Sequence, residues 1–459
     1  MGALAGAQLR PVWHEGHAHD WVVEQAPSDA SVDVAIVGGG LSGLWAAYYL
    51  SMLSPEKSIA IIESQRVGFG ASGRNGGWCS GFFPLMPTEL VAAFGAEAGL
   101  AAYRESFKSL DEIERVLQVE NIDCAWHRGG TVQSASTALQ AERLQRQVAA
   151  QHAAGLASTD LEWLPAERVS DHLRLAETHG AIFSPHCATV NPFALVLGLA
   201  RRLRARGVRV WEESSVRSIA DGAVAHDHGV VRASIVVQAT EGYSNRIQTT
   251  KRVLAPLYSL MVATEPLDDA TIAQLGWHGR ATFNDGGQMI IYAQLTHDRR
   301  IAFGGRGAPY HFASRVRDRF DIDDSTHERI VGSIVRHFPA AAHAKITHRW
   351  GGPLGVPRDW TPSVVVDRAA KYARIGGYVG DGVAATNLFA RMLVGVLADA
   401  DTPLSRLPFI NHRSPRWEVE PLRFIGINSL LKLSDSIDDY ELRNGKAPRL
   451  RTKIFESLL

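Results

Sequence analysis

The sequence predicts an α/β fold, in which a parallel sheet covered by helices carries an inserted α+β unit built on a mixed sheet. Residues 32–37 form an apolar, β-rich run that ends in three glycines. Residues 44–53 then have helical composition, and a second apolar run follows at 58–62. This order is that of a parallel βαβ unit, whose strands are buried on both faces. Residues 257–264 and 281–305 instead alternate in the manner of strands in a second sheet.

The remaining segments place the parallel sheet in discontinuous pieces. A helical segment at 193–206 precedes a β-rich run at 234–239, and a strand at 372–375 precedes a helix at 383–398. Each pair returns the chain to the parallel sheet. We therefore predict the following units: an N-terminal arm over 1–30, a discontinuous parallel-sheet core over 31–85, 190–255 and 346–410, an inserted unit over 86–189 and 256–345, and a C-terminal helical extension over 411–459.

Composition argues against several classes of protein. The 459 residues include 48 basic and 48 acidic side chains, a balance that gives no electrostatic reason to bind nucleic acid or an anionic membrane. The three cysteines, Cys79, Cys124 and Cys187, lie far apart, so we expect no disulfide framework and a cytoplasmic location. No uncharged apolar stretch has transmembrane length. The histidines of the arm lack the spacing of metal ligands, so no metal site is predicted.

A glycine pattern follows the first predicted strand. Gly38, Gly40 and Gly43 spell G-x-G-x-x-G between a strand and a helix, which is the context in which this pattern binds a dinucleotide. Gly38 permits a tight turn, Gly40 lets the main chain approach a diphosphate, and Gly43 lets the helix pack closely on the strand. The main-chain amides at the helix N-terminus, at Leu41 and Ser42, would face the diphosphate.

An acidic residue ends the second strand of this Rossmann-type unit. Glu63 lies 20 residues after Gly43 and is followed by Ser64. A carboxylate at this place can accept hydrogen bonds from the ribose hydroxyls of an adenosine and would repel a 2′-phosphate. The residues therefore disfavour NADP and leave NAD and FAD open.

Two further glycine-rich segments favour FAD. The segment GASGRNGG at 70–77 can bring main-chain amides to the flavin end of a diphosphate, and Arg74 within it can add a cation. Gly380, Asp381 and Gly382 open a helix near the C-terminus, where the positive end of the helix dipole would face an electron-rich atom such as the flavin C2 carbonyl oxygen. An NAD dehydrogenase has no need of such a return, so we predict FAD.

These motifs resemble a known family. The stretches that carry the resemblance are DVAIVGGGLSGLWAAYYL, Glu63, GFGASGRNGGW, ATEGY at 239–243 and GGYVGDGVAATNLFARML. Over about residues 31–400 the chain is similar to the FAD-dependent oxidoreductases of the D-amino-acid oxidase, glycine oxidase and sarcosine oxidase superfamily. It looks most like the γ-glutamylputrescine oxidase and aminophosphonate oxidoreductase branches. The resemblance implies a glutathione-reductase-like FAD domain and a substrate domain built on a large mixed sheet.

The resemblance also implies which positions hold the cofactor. Together with those named above, we expect the cofactor-binding residues to be Gly38, Gly40, Leu41, Ser42, Gly43, Glu63, Ser64, Gly70, Ala71, Ser72, Arg74, Asn75, Gly76, Gly77, Val216, Ala239, Thr240, Gly380, Asp381, Gly382 and Val383. Glu241 departs from related sequences, which often have Asn or Gly there. Sarcosine oxidases tether their flavin through a cysteine, but residues 353–357 contain none. No histidine lies in 70–77, so the histidyl linkage of the dimethylglycine dehydrogenase type is not expected either. We therefore expect FAD to be bound non-covalently.

The reaction that the resemblance implies is oxidation of the C–N bond of an amine or amino acid. The substrate would be a small molecule of the secondary amine, aminophosphonate or glutamyl-polyamine type. Its α-carbon passes a hydride to flavin N5, and water hydrolyses the resulting imine to an aldehyde or keto acid. Either O2 or an electron carrier would reoxidise the flavin, and the sequence does not indicate an oligomeric state.

The candidate catalytic residues belong to the inserted unit and its edges. They are Tyr258, Tyr292, Arg306, His348 and Trp350. The two tyrosines lie on predicted strands, and an arginine after two glycines can hold a carboxylate or phosphonate in a bidentate manner. The main alternative is an FAD-dependent 2-hydroxy-acid dehydrogenase, which would need a positioned base such as His348. An FAD module that modifies RNA is disfavoured by the balanced charge, and an NAD-only dehydrogenase by the two additional glycine-rich segments.

Overall fold

The computed structural model describes residues 3–247, 250–305, 307 and 309–458. Its strands are, in chain order, β1 Asp29–Val37, β2 Ile59–Ile62, β3 Trp78–Ser80, β4 Thr131–Ser134, β5 Glu162–Leu164, β6 Ala181–Ser184, β7 Cys187–Thr189, β8 Arg209–Trp211, β9 Val216–Ala220, β10 Ala223–His226, β11 Gly229–Gln238, β12 Ala255–Thr264, β13 Thr282–Asp285, β14 Ile291–Leu295, β15 Ile301–Gly305, β16 Ile346–Val356, β17 Ser363–Asp367 and β18 Tyr372–Gly376. Its α-helices are α1 Leu41–Leu53, α2 Pro87–Phe94, α3 Ala96–Val119, α4 Ala138–Ala153, α5 Ala166–Val169, α6 Pro192–Ala205, α7 Asp269–Leu275, α8 Asp324–His337, α9 Gly382–Leu397, α10 Leu422–Asn444 and α11 Arg449–Leu458.

The first sheet has the parallel core that the sequence predicts. Its strands lie in the order β17-β18-β11-β1-β2-β8, and all neighbours from β18 to β8 are parallel. Strand β17 pairs antiparallel at the edge, and the β9–β10 hairpin extends from β11. Residues 34–37 of β1 are buried, because the strand has neighbours on both sides and hydrophobic layers on both faces. This confirms the α/β class and the Rossmann-type unit.

Helices cover this sheet with one large hydrophobic cluster. Trp45 of α1, Tyr103 of α3, Leu195 of α6 and Leu388 of α9 are all buried in it. The cluster therefore includes α2 and α3, which lie within the segment 86–189 that we assigned to the inserted unit. Their packing differs from that assignment because α3 packs against α9 and α2 packs on α3, contacts that local sequence does not reveal.

The second sheet is mixed, as predicted. Its strands lie in the order β16-β12-β15-β14-β13-β4-β6-β5, with β4 and β13 parallel and the other neighbours antiparallel. Strand β16 pairs with β12 along its whole length, from Ile346 opposite Thr264 to Val356 opposite Ala255. The predicted start of the core's last piece at residue 346 is therefore wrong. The chain returns to the first sheet only after Val356.

The two ends of the described chain pack on this body. The arm carries one short 3-10 turn, Val12–His14, and bridges to β16 where Gln8 pairs with His348. The C-terminal extension is helical, as expected, and Asp438 of α10 accepts hydrogen bonds from the amides of Gln288 and Met289. Within the described residues, none of the helices combines the length and apolar character needed to span a bilayer.

Candidate cofactor and substrate site

The first cavity lies at the carboxyl ends of β1 and β2, beside the N-terminus of α1. Its open volume is about 1150 Å³. It is lined by sixteen of the positions expected to hold the cofactor, which are Gly38, Gly40, Leu41, Ser42, Glu63, Ser64, Gly70, Ala71, Ser72, Asn75, Val216, Ala239, Thr240, Gly380, Gly382 and Val383. These positions come from distant parts of the chain and meet because the carboxyl ends of parallel strands share one edge of the sheet.

The glycine pattern shapes one wall of this cavity. A Cβ atom on Gly43 would lie 2.1 Å from the carbonyl oxygen of Gly38, so only glycine allows α1 to approach β1 this closely. The amide of Leu41 donates a hydrogen bond of 2.8 Å to Ser72 Oγ. A Cβ on Gly40 would lie 2.8 Å from the same oxygen. The first glycine motif and the GASGRNGG segment are therefore in direct contact.

Glu63 occupies the position expected for a ribose-binding acid. Its Oε2 accepts a hydrogen bond of 2.7 Å from the amide of Gly39, and its Oε1 accepts one of 2.9 Å from the amide of Gln65. Burial raises the pKa of Glu63, and these hydrogen bonds oppose the rise. They also fix the carboxylate at the cavity wall, where its remaining lone pairs can accept hydrogen bonds from hydroxyl groups.

The GASGRNGG segment separates the first cavity from a second one. The side-chain Nδ2 of Asn75 donates to the carbonyl oxygens of Ala71 and Ser72, and its Oδ1 accepts from the main-chain amide of Gly77 at 2.8 Å. These bonds hold the segment in a compact turn. Gly43 and Gly77 line neither cavity, and a Cβ atom on either would lie within 2.4 Å of a main-chain oxygen, of Gly38 and of Val190 respectively.

Arg74 points elsewhere than the sequence suggested. Its guanidinium donates to Asp321 Oδ2 at 2.6 Å, to the Tyr243 hydroxyl at 2.6 Å and to the carbonyl oxygen of Gly351 at 3.2 Å. Burial raises the pKa of Asp321 to about 6 even though Arg74 opposes this change. Arg74 lines the second cavity and not the first. The expectation that Arg74 supplies a cation to the diphosphate is therefore corrected. A long-range ion pair takes the guanidinium away from the cofactor cradle.

A carboxylate that the sequence marked only as a departure anchors the C-terminal return. Glu241 lines the first cavity and accepts hydrogen bonds from the amides of Gly377 at 2.9 Å and Tyr378 at 3.0 Å. Burial raises its pKa to about 7, while these amides and Arg374 act in the opposite direction. Glu241 thus fixes the glycine-rich turn that leads into α9. No local signal in the sequence indicated this role.

The second cavity adjoins the first and lies against the mixed sheet. Its open volume is about 1660 Å³. The residues that line both cavities are Ala71, Asn75, Leu354, Gly380 and Val383. Three further expected cofactor positions, Arg74, Gly76 and Asp381, line the second cavity alone. Aromatic side chains form much of its wall, and these are Trp78, Phe82, Phe83, Tyr292 and Trp360.

Of the candidate catalytic residues on the mixed sheet, one lines the second cavity and the others that the structure describes do not. Tyr292 lines the second cavity, and its hydroxyl lies 2.8 Å from Ser259 Oγ. Tyr258 is buried outside both cavities, where its hydroxyl accepts a hydrogen bond from the amide of Arg317. Trp350 lies behind the GASGRNGG segment and donates to the carbonyl oxygen of Arg74 at 2.7 Å. Arg306 lies outside the described residues.

His348 is not brought to either cavity. Its side chain is 0% exposed, and Nε2 lies 3.1 Å from Glu15 Oε1 of the arm. Burial lowers the pKa of His348, although Glu15 opposes this change. The expectation that His348 contacts the substrate is therefore corrected. The arm covers the strand on which it lies, and a sequence cannot show that cover.

The residues of the first cavity fit FAD. The cavity combines an acid at the end of β2, free space above glycine main chain at the N-terminus of α1, and a continuation into a second cavity at the GASGRNGG segment. An adenosine, a diphosphate and a larger ring system in that order match these features. The N-terminus of α9, at Gly382 and Val383, also lines this cavity.

Comparison with known proteins agrees with this geometry. The family model described as FAD dependent oxidoreductase matches residues 33–395. The gamma-glutamylputrescine oxidoreductase of Escherichia coli strain K12 is 27% identical over 403 residues, which cover 84% of this chain and 89% of that one. The sarcosine oxidase subunit beta of an Arthrobacter species is 24% identical over 353 residues, covering 73% and 79%. The crystal structure of glycine oxidase from Geobacillus kaustophilus superposes with a TM-score of 0.70 at 19% identity and covers 84% of this chain and 100% of that one.

Proposed function

The chain belongs to the FAD-dependent oxidoreductase family, and from that premise we propose that it oxidises the C–N bond of an amine or amino acid. FAD supplies the two-electron chemistry by accepting a hydride at N5. The substrate loses that hydride from its α-carbon and its N–H proton to water, and so becomes an imine. Water then hydrolyses the imine to an aldehyde or keto acid and releases a smaller amine.

The residues of the first cavity would hold the cofactor. Glu63 would accept hydrogen bonds from the adenosine ribose, and the N-terminus of α1, whose Leu41 amide already donates to Ser72 Oγ, would face the diphosphate. Asn75 and the turn that it stabilises lie where the two cavities meet. This assignment leaves for the substrate the part of the second cavity that lies beyond the flavin ring.

One observation favours an amine over a hydroxy acid. No histidine lines either cavity within the described part of the chain. A hydroxy acid needs a base to take its hydroxyl proton, and His348, the base that the alternative requires, is buried beside Glu15. An amine can enter in its neutral form, with its proton already lost to solvent, and then needs no histidine at the site.

The wall of the second cavity supports an extended amine. Among the described lining residues, the charged side chains are Arg74, Asp285 and Asp381, and Arg74 is already paired with Asp321. This lining favours a substrate whose far end is neutral, zwitterionic or cationic over an aminophosphonate. The aromatic wall of the cavity can pack along the alkyl chain of such a substrate. We therefore place amines of the glutamyl-polyamine type first.

Two hydroxyl groups in the second cavity can orient the amine. The Tyr292 hydroxyl and Ser259 Oγ lie 2.8 Å apart, and both residues line the cavity. Either oxygen can accept a hydrogen bond from an N–H group of the substrate. Tyr292 also packs its ring against Gly76 and edge-on against Trp78, which holds the hydroxyl in place beside the GASGRNGG segment.

Product analysis tests the proposal. Purified protein is incubated with a panel of glutamyl-polyamines, secondary amines, aminophosphonates and 2-hydroxy acids, with O2 or a dye as electron acceptor. We expect turnover of an amine, with the carbonyl product and the released amine identified by mass spectrometry. Comparison of O2 with the dye then separates an oxidase from a dehydrogenase. Turnover of 2-hydroxy acids alone would show that the C–O alternative is correct.

A further inference from the structure

We propose that Trp13 of the N-terminal arm is a positioning residue of the cofactor site, because it fixes the orientation of the Asn75–Gly76 peptide. The indole N–H of Trp13 donates a hydrogen bond of 2.8 Å to the carbonyl oxygen of Asn75. Trp13 is 3% exposed and lines neither cavity, so it acts through the loop. The proposal depends on FAD binding and does not depend on the identity of the substrate.

Three consecutive carbonyl groups of the GASGRNGG segment are held in the same way. The Arg74 oxygen accepts from the indole of Trp350 at 2.7 Å, and the Gly76 oxygen accepts from Gln294 Nε2 at 2.6 Å. The Asn75 oxygen lies between them and accepts from Trp13. The three donors come from β16, β14 and the arm. The two indole rings also meet edge to face, with 6.3 Å between their centroids.

The geometry of the peptide unit determines what this clamp does. In a trans peptide the carbonyl and the N–H point in opposite directions. Because Trp13 pulls the Asn75 oxygen toward the arm, the amide of Gly76 points away from the arm. Gly76 lines the second cavity, whereas Trp13 does not. Within the described residues, no acceptor receives a hydrogen bond from this amide.

An amide held in this way is ready to donate to a ligand. The neighbouring main-chain donors are already used, because the main-chain amide of Asn75 bonds to the Ala71 oxygen and that of Gly77 to the Asn75 side chain. The Gly76 amide is thus the main-chain donor of this turn that remains for the electron-rich edge of a bound flavin. Such a donor stabilises the reduced, more negative form more than the oxidised form.

The arm is fastened so that Trp13 cannot easily leave. Asn191, which caps α6, donates to the carbonyl oxygen of Trp13 at 3.3 Å. Glu15 binds Arg300 at 2.7 Å and lies 3.1 Å from His348. His14 packs its ring against Phe193 with 4.1 Å between the centroids. These ties hold Trp13 in place against the GASGRNGG segment.

The test replaces the indole donor and keeps an aromatic ring. Trp13→Phe removes the N–H, and Trp21→Phe is the matched control, because Trp21 lies in the same arm but donates to Glu212. We expect Trp13→Phe to lower the midpoint potential of bound FAD by about 30 mV, the two-electron equivalent of a tenfold preferential loss of affinity for the reduced form. The visible flavin spectrum should shift as well. Trp21→Phe should match the wild-type protein in both.

A potential and a spectrum equal to wild type in well-folded Trp13→Phe would overturn the proposal. Circular dichroism and the flavin content report whether the variant is folded. If Trp13→Phe is not folded, Glu15→Gln tests the proposal in its place, because this change loosens the arm and leaves the indole of Trp13 intact. We expect a smaller lowering of the potential in Glu15→Gln. An unchanged potential in that variant would overturn the proposal equally.

Discussion

The hydroxyl oxygen of Ser72 lies 2.8 Å from the main-chain nitrogen of Leu41, so the two glycine-rich motifs of the cofactor site are joined by one hydrogen bond. Ser72 belongs to the GASGRNGG segment, and Leu41 is the first residue of α1. The amides at the start of a helix have no partner within it and must find one outside. Ser72 supplies that partner here and sets the segment at the mouth of the helix, beside the space that we assign to the diphosphate.

Gly40→Ala should weaken FAD binding at least tenfold. The added Cβ would lie 2.8 Å from Ser72 Oγ, so the hydroxyl must turn away and release the Leu41 amide. The methyl group also narrows the approach to the helix N-terminus. Titration of apoprotein with FAD measures the affinity. Gly395→Ala is the control, because its Cβ meets no atom nearer than 3.9 Å, and it should bind FAD as wild type does. Equal affinities of the two variants for FAD would refute the assignment of the diphosphate to the N-terminus of α1.

Acid precipitation should release all of the flavin into the supernatant. A covalent bond needs a nucleophile at the cofactor, and Cys79, Cys124 and Cys187 are all buried and line neither cavity. Burial also raises the pKa of each thiol, to about 12 for Cys187, which disfavours the reactive thiolate. The visible absorbance of the supernatant and of the redissolved pellet shows where the flavin is. Flavin that stays in the pellet after denaturation would contradict non-covalent binding.

Glu241 should make the protein less stable as the pH rises. Its pKa is about 7 in the folded chain, above its ordinary value of 4.5, so its contribution to stability is full below pH 4.5 and is lost as the pH rises through 7. The loss amounts to about 3 kcal/mol at most. Arg374 and the amides of Gly377 and Tyr378 face the carboxyl group and act in the opposite direction.

Urea unfolding between pH 5 and pH 8, at saturating FAD, measures this dependence. The wild-type free energy of unfolding should fall relative to that of Glu241→Gln across the range. Glu56→Gln removes the same formal charge at an exposed position and should run parallel to wild type. A constant difference between wild type and Glu241→Gln would show that Glu241 is ionised throughout.

His348→Gln should leave the reduction of FAD by an amine nearly unchanged and lower stability by about 1–2 kcal/mol. The side chain is buried between Glu15 and Thr347, away from both cavities, so its loss weakens the hold on the arm. Anaerobic rapid mixing gives the reduction rate, and thermal unfolding gives the stability. A rate that falls by about a hundredfold or more, with FAD still bound, would be the signature of a general base.

Local order made part of the site predictable. The strand before Gly38, the helix after Gly43 and the acid at Glu63 are contiguous in sequence, and the structure places them in one βαβ unit. The GASGRNGG segment follows the same unit closely. Each of these features depends on main-chain conformation and short-range spacing, which a sequence records directly.

The remaining parts depend on contacts between distant residues. Arg74 is turned by Asp321, which lies 247 positions away, and His348 is covered by Glu15 from the arm. Strand β16 joins the second sheet because it pairs with β12, although we assigned the residues from 346 onward to the first. Trp13 and Asn75 meet across 62 residues. No periodicity or spacing indicates such pairs.

Anaerobic titration of the purified flavoprotein tests the central claim most directly. Without an electron acceptor, each amine substrate molecule that is oxidised should reduce one bound FAD and bleach its visible absorbance. We predict bleaching by an extended amine, with one carbonyl product formed per flavin, and none by 2-hydroxy acids. Bleaching by 2-hydroxy acids alone, or a protein that holds no flavin at all, would contradict the account.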